Sequence, residues 1–260
     1  MKFYEFGKEN EKTIMLLPGN LMTHRQYEKL VPMLDNKYHI ITVSFDGFDE
    51  TGETTYTTAE EQGNKLAKYI KENLNGRVDL VYAESLGGAP ATYLTRIKDI
   101  SVGGVIISGT SYWNLGIFNN FARKTLYKIP YKFMSKAKKE GTLKLPNWLL
   151  KSIGRSNEEI QSMFSQMCLD VTSETMYATF SEGIDFYLNV AKWEANTNIP
   201  FACWYGEKES NMKKAIKELK RAFPNIEIHS FKGLGHGEIV NNEELLIKDM
   251  EDFLKRNKII

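Results

Sequence analysis

The feature that most limits how this chain can fold is a rhythm: short β-branched apolar runs separated by longer stretches whose apolar residues recur every three or four positions. The runs are Thr13 to Leu17, Tyr38 to Phe45, Val78 to Ala83, Gly104 to Ser108, Phe201 to Tyr205 and Glu227 to Phe231. Each ends in polar or glycine-rich residues that signal a turn. The stretches between them, such as Met212, Ala215, Ile216, Leu219, Ala222 and Phe223, or Leu246, Met250, Phe253 and Leu254, read as helices with one apolar face to bury. Strand, crossover helix and strand in succession make a mostly parallel sheet flanked by helices, so the expected class is α/β. Lys2 to Phe6 is a candidate edge strand.

The rhythm stops between about 111 and 197, where helical segments are interrupted at Pro130, Gly141, Pro146 and Gly154. The expected organisation is therefore a core made of 1–110 and 198–260 with a helical insertion, 111–197, between its halves. This third of the chain holds 14 of the 31 aromatic residues, among them Tyr112, Trp113, Phe118, Phe121, Trp148, Phe180 and Trp193. Two uses fit that enrichment: a core for the insertion itself, and an apolar pocket shared with the sheet, since ligand sites favour such junctions. Lys124, Lys128, Lys132, Lys136 and Lys139 recur at helical spacing opposite Leu126, Ile129, Phe133 and Ala137, with Pro130 expected to break or kink the pattern. From Arg123 to Lys144 eight basic residues face one acidic residue, Glu140. That face reads first as solvation and second as an attractor for an anionic substrate portion or an acidic lipid surface.

Charge and motifs exclude several functions. The 34 basic and 33 acidic side chains balance, which gives no whole-protein reason to bind nucleic acid. The stretch from Met1 to Lys12 is charged and Pro18 closes the first apolar run after Leu17, so no signal peptide fits. No run approaches the roughly 20 apolar residues that span a bilayer, and the expected location is the cytoplasm. Cys168 and Cys203, the two cysteines, read as buried thiols rather than a disulfide or a metal site. Gly233-x-Gly235 lacks the third glycine of a dinucleotide fingerprint, Glu238 standing in its place. With no phosphate-loop lysine motif and no paired-histidine zinc motif, no cofactor and no metal are expected. Oligomeric state is not legible.

The run Val78 to Ala83 leads into Ala83-Glu84-Ser85-Leu86-Gly87-Gly88, after which Ala89 to Lys98 reads as a helix. A serine at a sharp strand-to-helix turn exposes its hydroxyl in a strained conformation, and small residues two before and two after it let strand and helix approach. Ala83 and Gly87 meet that need. Glu84 reads as solvent-facing or as a supporting residue. Of the four histidines, His39 and His229 lie inside strand patterns, and His24 reads as a surface residue or one near the entrance to the site. His236 differs, following the last strand in a loop of three glycines and preceding the final helix; it is the candidate general base.

On these residues, and on Leu16-Leu17-Pro18-Gly19-Asn20, Phe45-Asp46-Gly47-Phe48-Asp49 and Gly206-Glu207-Lys208-Glu209, the chain from Thr13 to about Asn257 resembles the α/β-hydrolase superfamily with a helical cap. Ala83 stands where that family usually has glycine, and Pro18-Gly19 where it often has His-Gly. The resemblance implies a triad in the order serine, acid, histidine: Ser85, Glu209 and His236. Glu209 occupies the position that usually carries aspartate; Glu207, or an acid from elsewhere, remains the alternative. The backbone amides of Leu86 and Asn20 are the expected oxyanion donors. The implied activity is serine hydrolysis of small acyl esters with water. An acyl-thioesterase is the nearest alternative, and a ligand-binding receptor of the same fold the non-enzyme one.

Overall fold

The apolar runs at the centre of the sequence pattern form strands because both of their faces find cover. In the computed structural model, which describes residues 1–110, 115–153, 155–190, 199–209 and 211–260, the strands are β1 (Lys2–Phe6), β2 (Thr13–Leu17), β3 (His39–Ser44), β4 (Arg77–Val78), β5 (Leu80–Glu84), β6 (Ser101–Val102), β7 (Val105–Ser108), β8 (Phe201–Gly206) and β9 (Glu227–Phe231). Seven make one sheet in the order β1-β3-β2-β5-β7-β8-β9. β1 runs antiparallel to β3 and every other pairing is parallel. β4 and β6 form a separate parallel pair. All five residues of β2 and of β5 are buried, the continuous apolar pattern of strands covered on both sides.

The pleat divides the side chains into two cores. Met15, Leu17, Ile41, Val43, Val81, Ala83, Val105 and Ile107 point to one; Ile14, Leu16, Ile40, Leu80, Tyr82, Ile106 and Trp204 point to the other. The helices are α1 (Val31–Leu34), α2 (Ala59–Asn73), α3 (Gly88–Leu94), α4 (Asn119–Thr125), α5 (Lys128–Glu140), α6 (Asn147–Ile153), α7 (Asn157–Ser162), α8 (Ser173–Val190), α9 (Met212–Ala222) and α10 (Glu243–Arg256). Leu66, Ile70, Leu94, Met212 and Leu219 bring α2, α3 and α9 to the first core, while Leu34, Leu246, Met250 and Phe253 bring α1 and α10 to the second. Among the described residues no helix is long and apolar enough to cross a membrane.

Three elements differ from the sequence expectation. The run from Val78 to Ala83 is divided at Asp79, whose carboxylate accepts the Thr13 N–H at 2.9 Å and a bond from Arg77 Nη2 at 2.8 Å. The helix after Ser85 ends at Leu94 rather than Lys98; the Thr92 hydroxyl donates to the Gly88 carbonyl and the Thr95 hydroxyl to that of Thr92, each at 2.7 Å, competing with the ladder at its end. The helical pattern from Lys124 to Lys139 is divided into α4 and α5 between Thr125 and Lys128, and Pro130 stands in the first turn of the second helix, where a missing N–H costs no intrahelical bond.

Between β7 and β8 the described residues contain α4 to α8 and no strand. Ile129, expected on the buried stripe of α5, is 43% exposed, whereas Ala137 is buried as expected and Met134 joins it. Lys138 pairs with Asp170, and Lys136 lies 3.7 Å from Glu140. Phe118, Phe121 and Trp148 are exposed, whereas Phe180 packs against the first core. Tyr112, Trp113 and Trp193 lie outside the described residues. Helix α8 packs on α4, on α5 and over the turn that follows β5.

Candidate active site

The site gathers at the carboxyl ends of the parallel strands, where an α/β sheet opens to ligands. At the end of β5, Glu84 is extended, and Ser85 turns to φ +49°, the left-handed region that a residue with a side chain seldom adopts. The turn is held by close backbone approach. A Cβ on Gly87 would lie 2.8 Å from the Pro18 carbonyl oxygen and 2.9 Å from that of Leu17, so only glycine fits between α3 and the end of β2.

Ser85 Oγ lies 3.0 Å from His236 Nε2, and His236 Nδ1 lies 2.7 Å from Glu209 Oε2. With the proton on Nδ1 donated to Glu209, Nε2 is left to accept from the serine hydroxyl. Glu209 is buried, and its other oxygen accepts the Gly206 N–H at 2.7 Å, which fixes the carboxylate at the end of β8. Glu207 takes no part in this relay; it reaches the neighbouring loop and accepts the Gly233 N–H at 3.2 Å. Burial works to lower the His236 pKa, but the hydrogen bond and charge of Glu209, with the charge of Glu84, outweigh it and hold it above the ordinary value.

Gly19 donates its N–H to Gln26 Oε1 at 2.8 Å, and a Cβ placed on it would be 3.5 Å from Ser85 Cβ. Asn20 therefore stands beside the serine. Among the described residues, neither the Asn20 nor the Leu86 backbone N–H donates to a protein acceptor. Asn20, Leu86, Ser85 and His236 line one cavity of about 300 Å³, walled mainly by apolar side chains including Phe133, Met134, Phe180 and Phe186. His24 is elsewhere, stacked on Tyr4 with ring centroids 3.6 Å apart and 3.3 Å from Ser44 Oγ. His39 and His229 pair with Glu5 and Asp249. Cys168 and Cys203 are buried free thiols. Among the described residues no three His, Cys, Asp or Glu side chains are grouped to hold a metal ion.

Two further residues stand behind the histidine: Glu84, for which the sequence allowed a supporting role, and Arg155, which no sequence pattern singled out. Glu84 does not face solvent: it is 2% exposed, and its Oε2 accepts the Tyr82 hydroxyl at 3.0 Å. A Cβ on Gly109 would lie 3.1 Å from both Glu84 Oε1 and His236 Nδ1, so this bare backbone position lets the carboxylate approach the imidazole. Burial pushes the Glu84 carboxyl up to about 7, His236 opposing the shift and Glu209 adding to it. Arg155, between α6 and α7, donates from Nε to the His236 carbonyl at 2.7 Å and ties the helical segment to the histidine loop. Burial lowers its pKa while the charges of Glu84, Glu238, Glu159 and Glu209 resist. No periodicity or motif surrounds Arg155; only the folded chain reveals its contact.

No protein-family model and no curated protein matches this sequence. Solved structures do match in three dimensions. An α/β-hydrolase family protein from Desulfitobacterium hafniense is 16% identical with a TM-score of 0.79, the match covering 96% of this chain and 98% of that one. MenH from S. aureus is 20% identical with a TM-score of 0.74, covering 99% and 98%. A thermophilic esterase from Thermogutta terrifontis is 17% identical with a TM-score of 0.70, covering 98% and 93%. The sheet order, the serine turn at the end of β5 and these near full-length superpositions lead to one conclusion: the chain has the α/β-hydrolase fold.

Proposed function

We propose that the protein is a serine hydrolase that cleaves small carboxylic esters through an acyl-enzyme intermediate, with Ser85 as nucleophile, His236 as general base and Glu209 as the acid that orients it. The observation that carries this reading is the continuous contact from Glu209 through His236 to Ser85, with bonds of 2.7 and 3.0 Å. A serine hydroxyl is a weak nucleophile at neutral pH, so His236 Nε2 takes its proton as Oγ attacks the acyl carbon. Glu209 keeps the imidazole in the tautomer that can accept and stabilises the imidazolium. The oxyanion is received by the Leu86 and Asn20 amides, each worth roughly 3 to 4 kcal/mol to the transition state. His236 then protonates the leaving alcohol, and water, activated by the same imidazole, releases the acid.

In this reading 111–197 is a helical cap over a core of 1–110 and 198–260, and the cavity between them holds the acyl ester. The esterase from Thermogutta terrifontis among the structural neighbours fits the reaction class. The test is labelling with a fluorophosphonate and turnover of p-nitrophenyl butyrate. Wild type is expected to label at Ser85 and to turn over; Ser85→Ala is expected to fold and to do neither. Labelling at another serine, or turnover by the variant, would end the assignment.

A further inference from the structure

Among the described residues the cavity holds one ionisable side chain that the serine relay does not use. Glu182, in α8, is 6% exposed, yet it lines the same cavity as Ser85 and His236. Its Oε2 accepts the N–H of Ala59, the first residue of α2, at 2.9 Å. Among the described residues its Oε1 has no hydrogen-bond partner. The buried Tyr56 hydroxyl has none either, and burial, then the charge of Glu182, pushes that phenol's pKa up. Among the described residues no lysine or arginine lines the cavity. Burial also pushes the Glu182 carboxyl up to about 7, Asp185 and Glu60 adding to the shift and the Ala59 N–H opposing it.

Docking α8 on the start of α2 does not explain a carboxylate here. One oxygen serves that contact, and a glutamine amide oxygen would accept the same N–H without a charge to desolvate. The positive end of α2 makes the ionised form tolerable, and the second oxygen is left to a ligand. An ammonium group reaching it would donate a hydrogen bond and neutralise the buried charge. A carboxylate in its place would put two like charges in a low-dielectric wall with no cation to separate them.

We propose that Glu182 selects ligands whose buried apolar portion ends in an amine, held as an ammonium ion against its carboxylate, and rejects those that end in a carboxylate. In calling these ligands substrates the proposal rests on the hydrolase reading; the binding itself does not. Below about pH 7 the ammonium ion displaces the proton that Glu182 carries, so binding there releases a proton to the buffer.

The experiment uses the full chain with Ser85→Ala, which removes turnover from the measurement, and titrates hexylamine, hexanol and hexanoate calorimetrically. Hexylamine is expected to bind about tenfold or more tighter than hexanol, the span of a charge-assisted hydrogen bond, and hexanoate weakest of the three. Runs at about pH 6 in two buffers of different ionisation enthalpy are expected to show proton release for hexylamine alone, fading at about pH 8.5 as Glu182 ionises unaided. Glu182→Gln in the same background, which keeps an acceptor for Ala59, is expected to bring hexylamine to the level of hexanol and abolish the proton release. Hexanoate binding as well as hexylamine, an amine preference that survives Glu182→Gln, or binding of none of the three ligands overturns the proposal. The wild-type ranking decides even if Glu182→Gln fails to fold. Amine binding without hydrolysis of any ester would sink the hydrolase reading and leave this one standing.

Discussion

Glu207 and Glu209 stand two positions apart, and the loop after β8 sends one outward to Gly233 and the other inward to His236. Glu209→Gln is accordingly expected to lower kcat by up to about 10⁴-fold with little change in KM, because the amide permits the unproductive imidazole tautomer. Glu207→Gln is expected to stay near wild type; steady-state kinetics on one ester rank the pair, and the reverse order would move the acid. Glu84 acts on the same imidazole through charge. Removing it in Glu84→Gln takes away a contribution that raises the His236 pKa, so the rising limb of the kcat/KM profile is expected to move to lower pH. An unmoved limb would mean that Glu84 is neutral or screened while the base titrates. Ser85 and His236 were legible in the sequence because an elbow and a glycine loop are local patterns. Glu84 carried two readings, solvent-facing or supporting, and neighbours along the chain did not decide between them; the fold does, because Gly109 and the histidine loop close over it. Arg155 and Glu182 left no local signal, because each matters through a contact with a distant element.

Among the elements, β1, β2 and β9 begin and end where the sequence runs do; β2, covered on both faces, writes its burial directly into its composition, while the partly exposed edge strands β1 and β9 are bounded by the turn residues that follow them. Ends set by side chains are less visible: Asp79 divides one run, and Thr92 with Thr95 shortens α3. The contact between α3 and β2 gives a direct test of packing. Gly87→Ala drives a methyl against two main-chain carbonyls that cannot rotate away, and a loss of about 1 to 3 kcal/mol is expected in denaturant unfolding. A variant as stable as wild type would mean that the elbow relaxes. Helix α5 carries a second test. Lys128 and Lys132 are exposed while Phe133 and Met134 of the same helix line the cavity, so the charge sits outside an apolar wall. For a small neutral ester and its coenzyme A thioester, kcat/KM is expected to respond alike to salt, with little change on charge reversal at the two lysines. A steep salt-dependent advantage for the thioester, lost on that reversal, would identify the lysines as a steering surface and favour a thioesterase.

At the scale of the whole molecule, Glu84 and Glu182 set a pH dependence that other carboxyls oppose. Both have folded-state values raised from 4.5 to about 7. Below about 4.5 they are protonated in folded and unfolded chains alike. As pH rises the unfolded chain ionises first, and stability falls until the folded groups ionise near 7, each contributing on the order of 3 kcal/mol across that window. Glu251, lowered first by its hydrogen bond from Lys37, and Glu5, lowered first by Tyr69, work the other way; their stabilisation is present above the unfolded value and lost as pH falls. Thermal melts are therefore expected to be highest near about pH 5, and the double variant Glu84→Gln, Glu182→Gln to flatten the decline between about pH 5 and 8. A wild-type profile that climbs through neutrality would contradict it.

The ends of β5, β8 and β9 supply a relay whose serine and histidine are 151 residues apart, and β8 joins β7 only after the whole helical segment has been crossed. Pairings that distant form slowly, because the loop must close before the contact stabilises it. During refolding from denaturant, helical signal can return while β8 and β9 are still undocked and Ser85 has no base. Under the proposed serine-hydrolase reading, recovery of ester turnover reports the docking of β8 and β9, and any lag behind circular dichroism measures how long the chain holds helical structure without a formed relay.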